Sequence, residues 1–344
     1  MAVAVSTHIY FFSHAKAMNR NISVSLAIVA VSVIAFIAWK GTSSSSSLAL
    51  SARRSSTAVE RTEVRSKVST SATSSVSQTS AAPTLNQRFR EAKDYAHFVA
   101  EIQPMATEGN TEAQYLTAKA LKWCAQTMHL YFIRPNGQVR TLEEVQAKNA
   151  AMPVGLSQQE LATIYSRCQG FLESPELRKS ADSWSEWLDK SADGGYPAAI
   201  AQRAANLESQ LTLELHSSMP HEDRGVDAEA QAKELALSAA ESGSPDAIFL
   251  MSDWVRAGNR AEDETATLIS AWKILACQKG YDCGPNSDWM MSVCSWDPQC
   301  ANGRTYVEYF QRLLGSQYDD ALRLAKSIDE AITANDVQTL RSYL

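Results

Sequence analysis

A short motif of small residues occurs three times in this 344-residue chain and constrains its fold more than any other feature. An alanine is followed by a glycine three positions later and by a second alanine four positions after that, at Ala106/Gly109/Ala113, Ala192/Gly195/Ala199 and Ala240/Gly243/Ala247. Glycine tolerates the left-handed conformation that ends a helix, and small residues let two helices pack closely. The motif therefore predicts the turn of an α-helical hairpin, in which the first alanine closes one helix, the glycine occupies the turn and the second alanine opens the next helix. We designate all nine as repeat-turn residues.

Apolar residues at helical spacing surround these turns. The predicted helices cover Phe89–Ile102, Ala113–Leu130, Leu156–Leu172, Ala228–Ala240, Ala266–Cys277, Tyr306–Leu314 and Tyr318–Ile332. Ser157 and Ser174 are suited to cap helix N-termini, and Pro135-Asn136-Gly137 is the one candidate for a tight turn between strands. The pattern predicts an all-α domain.

The stretches 106–116 and 240–250 resemble the helix-turn-helix core of Sel-one-like repeats, a branch of the tetratricopeptide-like proteins. Ala271-Trp272 with Ala276 and Gly280 is similar to the second helix of a further, degenerate unit. The copies are unevenly spaced, and an insertion at about residues 130–156 separates the first two. The resemblance implies an irregular solenoid of α-hairpins that serves as an adaptor for a protein or peptide partner. An unrelated helical bundle with similar turns is the alternative.

The amino-terminal 41 residues contain no Asp or Glu, and Ile22 to Trp39 is an uncharged run of 18 residues. A helix of that length rises about 27 Å, close to the thickness of a bilayer's hydrocarbon core. We expect a short cytoplasmic segment at 1–21 and an uncleaved transmembrane signal anchor at 22–39. Secretion after cleavage near Ala52 is the alternative, and translation starting at Met18 instead of Met1 is a related hypothesis.

Residues 42–83 differ in composition from the rest, because 21 of these 42 residues are Ser or Thr and none is aromatic. Such a segment buries too little apolar surface to fold, so we expect a disordered linker. The remaining residues have a net charge of −12, against −6 for the whole chain. An acidic domain repels phosphate backbones, which argues against nucleic-acid binding. We divide it into a helical repeat domain at 84–265 and a Cys-rich segment with C-terminal helices at 266–344, packed on the same domain.

The cysteines number six, and the last four follow a C-x5-C-x10-C-x5-C pattern. Structural zinc sites use shorter spacing within each pair, and no histidine lies near, so we predict disulfides rather than a metal site. The expected pairs are Cys277–Cys283, Cys294–Cys300 and, by elimination, Cys124–Cys168. Disulfides favour an oxidising compartment, which here is the periplasm.

Residues that could carry catalysis are sparse, and we assign no catalytic residue, cofactor or metal ligand. The domain's histidines, which match no ligand or catalytic pattern, are His97, His129, His216 and His221. The acidic pairs Glu143/Glu144 and Asp319/Asp320 are typical of solvated helix faces. Trp289 and Trp296 could stack on a sugar or peptide, although packing is the simpler interpretation.

The sequence thus predicts a bacterial-type inner-membrane protein that spans the membrane once and presents a scaffold or adaptor domain in the periplasm. The alternative from a different class is a peptidoglycan-directed hydrolase of the cell envelope. Two carboxylates roughly 5–10 Å apart in a Trp-lined pocket would favour the hydrolase, whereas a smooth groove without a perturbed acid would favour the adaptor.

Overall fold

Helices dominate the part of the chain that a computed structural model describes, namely residues 83–150, 156–216, 226–257, 262–294 and 305–344. The helices of the first half are α1 (Leu85–Glu91), α2 (Tyr95–Thr107), α3 (Thr111–Thr127), α4 (Leu142–Ala150), α5 (Gln158–Glu173), α6 (Pro175–Ser180) and α7 (Trp184–Asp193). Those of the second half are α8 (Pro197–His216), α9 (Val226–Glu241), α10 (Pro245–Ala257), α11 (Glu262–Gln278), α12 (Asp288–Cys294), α13 (Tyr306–Leu314), α14 (Tyr318–Ala334) and α15 (Val337–Tyr343). The all-α prediction is confirmed for these residues.

The three small-residue motifs form helix-ending turns of one geometry. Gly109, Gly195 and Gly243 all have positive φ, at 99°, 85° and 65°. Each glycine N–H donates to the carbonyl of the alanine three residues earlier, over 3.0–3.2 Å. The glycines therefore occupy the turns as the motif predicts.

All six motif alanines lie in the helices that flank the turns. The first alanines, which lie next to last in the preceding helix, are Ala106, Ala192 and Ala240. The second alanines, each the third residue of the following helix, are Ala113, Ala199 and Ala247. Alanine has the highest helix propensity, and its Cβ disfavours positive φ, so glycine alone takes the left-handed position. All six alanines are buried, as expected where two helices cross closely.

The first two turns join helices that pack on each other, whereas the third joins α9 and α10, which both pack on α8. Helix α2 packs on α3, α3 on α7, α7 on α8, α8 on both α9 and α10, and α10 on α11, which in turn packs on α14. Alanine makes these contacts close, because Ala198, Ala201 and Ala204 of α8 are completely buried. Residues 82–344 form one unit by their contacts.

The predicted helix Phe89–Ile102 is wrong, because the chain breaks between α1 and α2. Asp94 ends the break as the N-cap of α2, its side chain accepting a hydrogen bond from the backbone N–H of Ala96. Phe89 and Tyr95 stack across the break with ring centroids 4.8 Å apart. The apolar spacing that suggested one helix is therefore produced by two helices that share a core.

The 130–156 insertion begins with a turn of π-helix at Met128–Phe132 that extends α3. An isolated antiparallel bridge then joins Ile133 to Val139. Gly137, with φ at 81°, lies in the turn between them, and its N–H donates to the Arg134 carbonyl over 2.8 Å. The Pro-Asn-Gly segment thus forms the one tight turn between bridge-forming residues in the described part of the chain.

Disulfides are present in the domain. Cys124 of α3 is bonded to Cys168 of α5, and Cys277 near the end of α11 to Cys283, with Cα–Cα distances of 5.5 and 5.6 Å. These are two of the three pairs that the spacing predicts. Cys294 is also disulfide-bonded; Cys300, its predicted partner, lies outside the described residues.

Several sequence predictions concern residues outside the described ranges. These are the cytoplasmic segment 1–21, the anchor 22–39 and the linker 42–83, along with Trp296. Among the described residues, no helix combines the length and the apolar character needed to cross a membrane.

Candidate functional site

A fourth turn resembles the three motif turns and leads into a pocket. Gly280 has a φ of 102°, and its N–H donates over 3.2 Å to the carbonyl of Cys277, which occupies the position of the motif's first alanine. No helix follows this turn directly, because α12 begins only at Asp288. The intervening loop therefore leaves room at the surface instead of packing as a second helix.

The pocket beside this loop has a volume of about 390 Å³, including the part open to solvent. Charged, polar and aromatic side chains from six helices and the loop line it: Asn86, Phe89, Arg90, Tyr95, Lys119, Arg167, Asp246, Tyr281, Asp282, Ser287, Asp288 and Trp289. Three cations and three carboxylates are among them, so the formal charge of the lining is balanced.

The first ion pair of the pocket joins α5 to α12. A guanidinium nitrogen of Arg167 lies 2.5 Å from one carboxylate oxygen of Asp288, and both side chains are nearly buried. The hydroxyl of Tyr95 donates to the other oxygen over 2.7 Å. The guanidinium also lies over the rings of Tyr95 and Trp123 at 5.7 and 6.0 Å. Both oxygens of Asp288 are therefore satisfied, and Arg167 is held in one orientation.

The electrostatics of Asp288 are set chiefly by burial. Loss of solvent raises the pKa of its carboxyl, and the neighbouring Arg167 charge and the Tyr95 hydrogen bond counteract only part of this. Burial, followed by the Asp288 charge, raises the pKa of Tyr95 well above its ordinary value. Tyr95 is therefore a hydrogen-bond donor to Asp288 at any physiological pH.

The second ion pair joins α3 to the first turn of α10. The ammonium of Lys119 lies 2.7 Å from a carboxylate oxygen of Asp246, whose side chain is only 8% exposed. The position of Asp246 in the first turn suits a carboxylate, because the helix dipole is positive there. The ammonium also lies over Phe89 and Tyr281, both at 5.2 Å. Burial lowers the pKa of Lys119, but the Asp246 charge and nearby phenols outweigh it and the pKa is raised well above normal.

Disulfides brace two walls of the pocket. The Cys277–Cys283 bond closes the loop that contains Tyr281 and Asp282, both of which line the pocket. Tyr281 stacks on Phe249 of α10 with ring centroids 4.0 Å apart. In the other disulfide, Cys168 of α5 directly follows Arg167 in the chain and is bonded to Cys124 of α3. The pocket is thus held in shape without a ligand.

A buried lysine lies behind the pocket wall on α11. The ammonium of Lys273 lies over Phe249 at 5.5 Å and over Trp289 at 5.6 Å. Burial, reinforced by the Arg256 charge and opposed by Asp253, lowers the pKa of Lys273 to about 7. Among the described residues, no carboxylate lies within ion-pairing distance of this ammonium. Lys273 therefore places a buried amine against Phe249 and Trp289 at the back of the pocket.

The other residues considered in the sequence lie away from this pocket. His97 and His129 are exposed on the surface, as are Glu143, Glu144, Asp319 and Asp320. The side chains of His216 and His221 lie outside the described residues. Within the described ranges, no group of three or more His, Cys, Asp or Glu side chains could hold a metal ion.

The residues of the three repeat motifs are also separate from the pocket lining. Ala247 comes closest in the chain, because it directly follows Asp246 on α10, yet its side chain is completely buried. Ala199 is completely buried on α8, a helix that contributes no residue to the lining. The motif alanines and glycines therefore position helices and offer no contact to a ligand in the pocket.

Sequence reasoning identified only part of the pocket. It marked the cysteines of the loop and Trp289, whose ring packs against Phe249 and Phe310 at 5.4 and 5.7 Å. It missed both ion pairs, whose members lie 127 and 121 residues apart in the chain. Such distant pairs leave no signal in a local pattern.

Comparisons with family models, curated proteins and solved structures find no match to this chain.

Proposed function

We propose that this chain is a single-pass membrane protein of the cell envelope whose periplasmic, Sel-one-like α-solenoid binds a protein or peptide partner. The shared geometry of the four turns supports the repeat character, since each ends a helix at a positive-φ glycine with the same hydrogen bond. The disulfides support an oxidising compartment. The uncharged run at 22–39 supports the membrane anchor.

The partner binds at the pocket beside the fourth turn. The observation that carries this assignment is the preformed cluster of tyrosine, tryptophan and arginine held by two nearly buried ion pairs. These three residue types dominate the energetic centres of protein interfaces. A site whose side chains are already fixed loses little conformational entropy on binding. Because the charges are balanced within the pocket, the partner has to match the individual charged and hydrogen-bonding groups of the lining rather than a net charge.

The experiment compares two charge reversals in the full chain, solubilised from its own membranes. Arg90 is exposed at the pocket rim, whereas Arg323 is exposed on α14. We expect Arg90→Glu to reduce the recovery of the partner that co-purifies with the native chain at least about tenfold, the effect of a loss of about 1.4 kcal/mol. Arg323→Glu should leave recovery unchanged. Equal recovery with both variants, or no partner with the native chain, would argue against this function.

A peptidoglycan-directed hydrolase is the second candidate, and one observation favours it. Asp288 has a raised pKa and shares a Trp-lined pocket with Asp246 and Asp282. Asp246 and Asp288 are, however, each engaged in an ion pair with a cation of the pocket, whereas a general acid must direct its proton at the substrate. Hydrolysis of purified peptidoglycan by the native chain, lost in Asp288→Asn, would establish the hydrolase. The absence of hydrolysis would exclude the hydrolase.

The membrane topology has a separate test. The amino-terminal sequence of the mature chain from a membrane fraction distinguishes the anchor from cleavage near Ala52. A mature chain that retains residues 22–39 supports the anchor. A mature chain that begins close to residue 52 supports secretion and excludes the membrane anchor.

A further inference from the structure

The two disulfides with both cysteines described differ in their access to solvent. Cys124 and Cys168 are completely buried. Cys283 is 7% exposed and Cys277 is half-buried, at the edge where α11 ends. A thiolate from solution therefore reaches the Cys277 sulfur more readily than any of the other three.

The more exposed disulfide also holds the pocket wall. The carbonyl of Gly280, inside the closed loop, accepts a hydrogen bond over 2.8 Å from the guanidinium of Arg90 on the opposite rim. Its neighbour Tyr281 lies between Phe249 and the Lys119 ammonium. The loop therefore connects the disulfide directly to the lining of the pocket.

We propose that Cys277–Cys283 is a thiol–disulfide exchange site at which a dithiol reductant loosens the pocket wall. A thiolate of the dithiol attacks the Cys277 sulfur, the Cys277–Cys283 bond breaks, and Cys283 leaves as a thiolate that takes a proton. The second thiolate of the dithiol then attacks the reductant sulfur that is bonded to Cys277. Cys277 leaves as a thiolate and takes a proton. The dithiol is oxidised by two electrons to a disulfide, and the protein gains two thiols.

The size of the closed loop makes this a local change. The Cys277–Cys283 bond spans six positions, whereas Cys124–Cys168 spans 44. By the loop-entropy relation, the short loop restricts the unfolded chain about 40-fold and the long loop about 900-fold. Loss of the short bond therefore costs the domain much less stability, so we expect the helices to stay folded while Tyr281 and Asp282 are freed. This inference concerns the wall itself and stands whether or not the pocket binds a partner.

The test titrates the full native chain with dithiothreitol without denaturant, alkylates the free thiols and quantifies each cysteine by peptide mapping. We expect Cys277 and Cys283 to be labelled at a reductant concentration at least about tenfold below that needed for Cys124 and Cys168. Amide exchange at residues 280–287 should then accelerate up to about 40-fold, with the helical circular dichroism unchanged. Labelling of all four cysteines together, or labelling without faster exchange in the loop, would overturn the proposal.

A double variant tests the same loop without reductant. Cys277→Ser with Cys283→Ser should fold, retain the buried disulfide and show the same faster exchange at 280–287. Failure of this double variant to fold would show that the bond is a structural requirement of the whole domain, which would also overturn the proposal.

Discussion

The turn at Gly280 and the three motif turns share a backbone geometry but lead to different structures. In all four, a positive-φ glycine donates to the carbonyl three residues earlier. After each motif turn, a helix begins within two residues and buries a second alanine. After Gly280, a disulfide-closed loop replaces that helix and places Tyr281 and Asp282 at the surface. The same turn therefore leads either into a packed helix or into a braced loop that lines a pocket.

The two regions also differ in what holds them together. The motif turns rest on contacts between buried alanines, which contribute stability through close packing. The fourth-turn pocket rests on two nearly buried ion pairs. A buried ion pair adds little net stability, yet it is costly to break and fixes the geometry of its neighbours. We therefore expect changes at the motif turns to affect stability alone, and changes at the fourth turn to affect the pocket as well.

The largest expected effect comes from breaking the Arg167–Asp288 pair. Arg167→Met leaves the Asp288 carboxylate nearly buried without its cation, which should lower the free energy of unfolding by about 3–5 kcal/mol. Urea denaturation measures the change. The matched control is Arg134→Met, which removes an exposed pair with Glu144 and should cost less than about 1 kcal/mol. Equal costs for the two variants would contradict the distinction between buried and exposed pairs.

Removing the buried charge behind the pocket should stabilise the domain. The pKa of Lys273 is about 7 in the folded state and about 10.4 in an unfolded chain, so this lysine makes stability rise with pH between those values. Lys273→Met should remove that slope. The difference of about 3.4 pKa units, at about 1.4 kcal/mol each, corresponds to about 5 kcal/mol. Lost cation–π contacts offset up to about 2 kcal/mol of this, so we expect a gain of roughly 3 kcal/mol at pH 6.

Chemical denaturation at pH 6 and pH 9 measures this effect of Lys273. The native chain should be more stable relative to Lys273→Met at pH 9 than at pH 6. Lys326→Met, at a lysine that is 79% exposed on α14, should leave both values unchanged. A loss of stability in Lys273→Met at pH 6 would mean that the buried ammonium is stabilised by its surroundings.

The smallest expected effect comes from adding a methyl group at the glycine of one motif turn and of the fourth turn. Gly195→Ala and Gly280→Ala each place a side chain at positive φ with no atom nearby, so each should cost about 1–2 kcal/mol. Amide exchange at residues 281–289 should rise in Gly280→Ala and stay unchanged in Gly195→Ala. A change at 281–289 in both variants would show that the pocket depends on the whole array of turns.

The sequence predicted the parts of the fold that depend on local patterns. Small residues at fixed spacing located the three turns, because that signal lies within a few neighbouring residues. For the same reason, helical periodicity located α3, α5, α9, α11, α13 and α14, but it did not mark several others, among them the long helices α8 and α10. The same local signal failed at Phe89–Ile102, where two helices contribute to one apolar face on either side of Asp94. A capping aspartate within an apolar pattern was the available signal for that break.

At two of the motif turns, a further local signal marks where the next helix begins. Ala199 and Ala247 each lie inside the helix that follows the turn. A proline two residues earlier, Pro197 or Pro245, begins that helix, and proline at the first helical position was the available signal for the boundary.

The pocket was not predictable in the same way, because its residues meet only in the folded chain. Lys119 and Arg167 lie on amphipathic helices, where a charged residue is typical of a solvated face. Their aspartate partners, Asp246 and Asp288, occur in first turns of helices, where acidic residues are common for local reasons. Of the pocket's features, the local sequence revealed only the disulfide-closed loop and Trp289.

The central claim, that the partner binds at the fourth turn and not at the motif turns, is tested most directly by site-specific photo-cross-linking in the native envelope. A photoreactive residue is placed at Asp282, beside Gly280, or at the exposed Ser242, beside Gly243. We predict a partner adduct from position 282 and none from position 242. An adduct from position 242 alone, or adducts of equal yield from both positions, would contradict the claim.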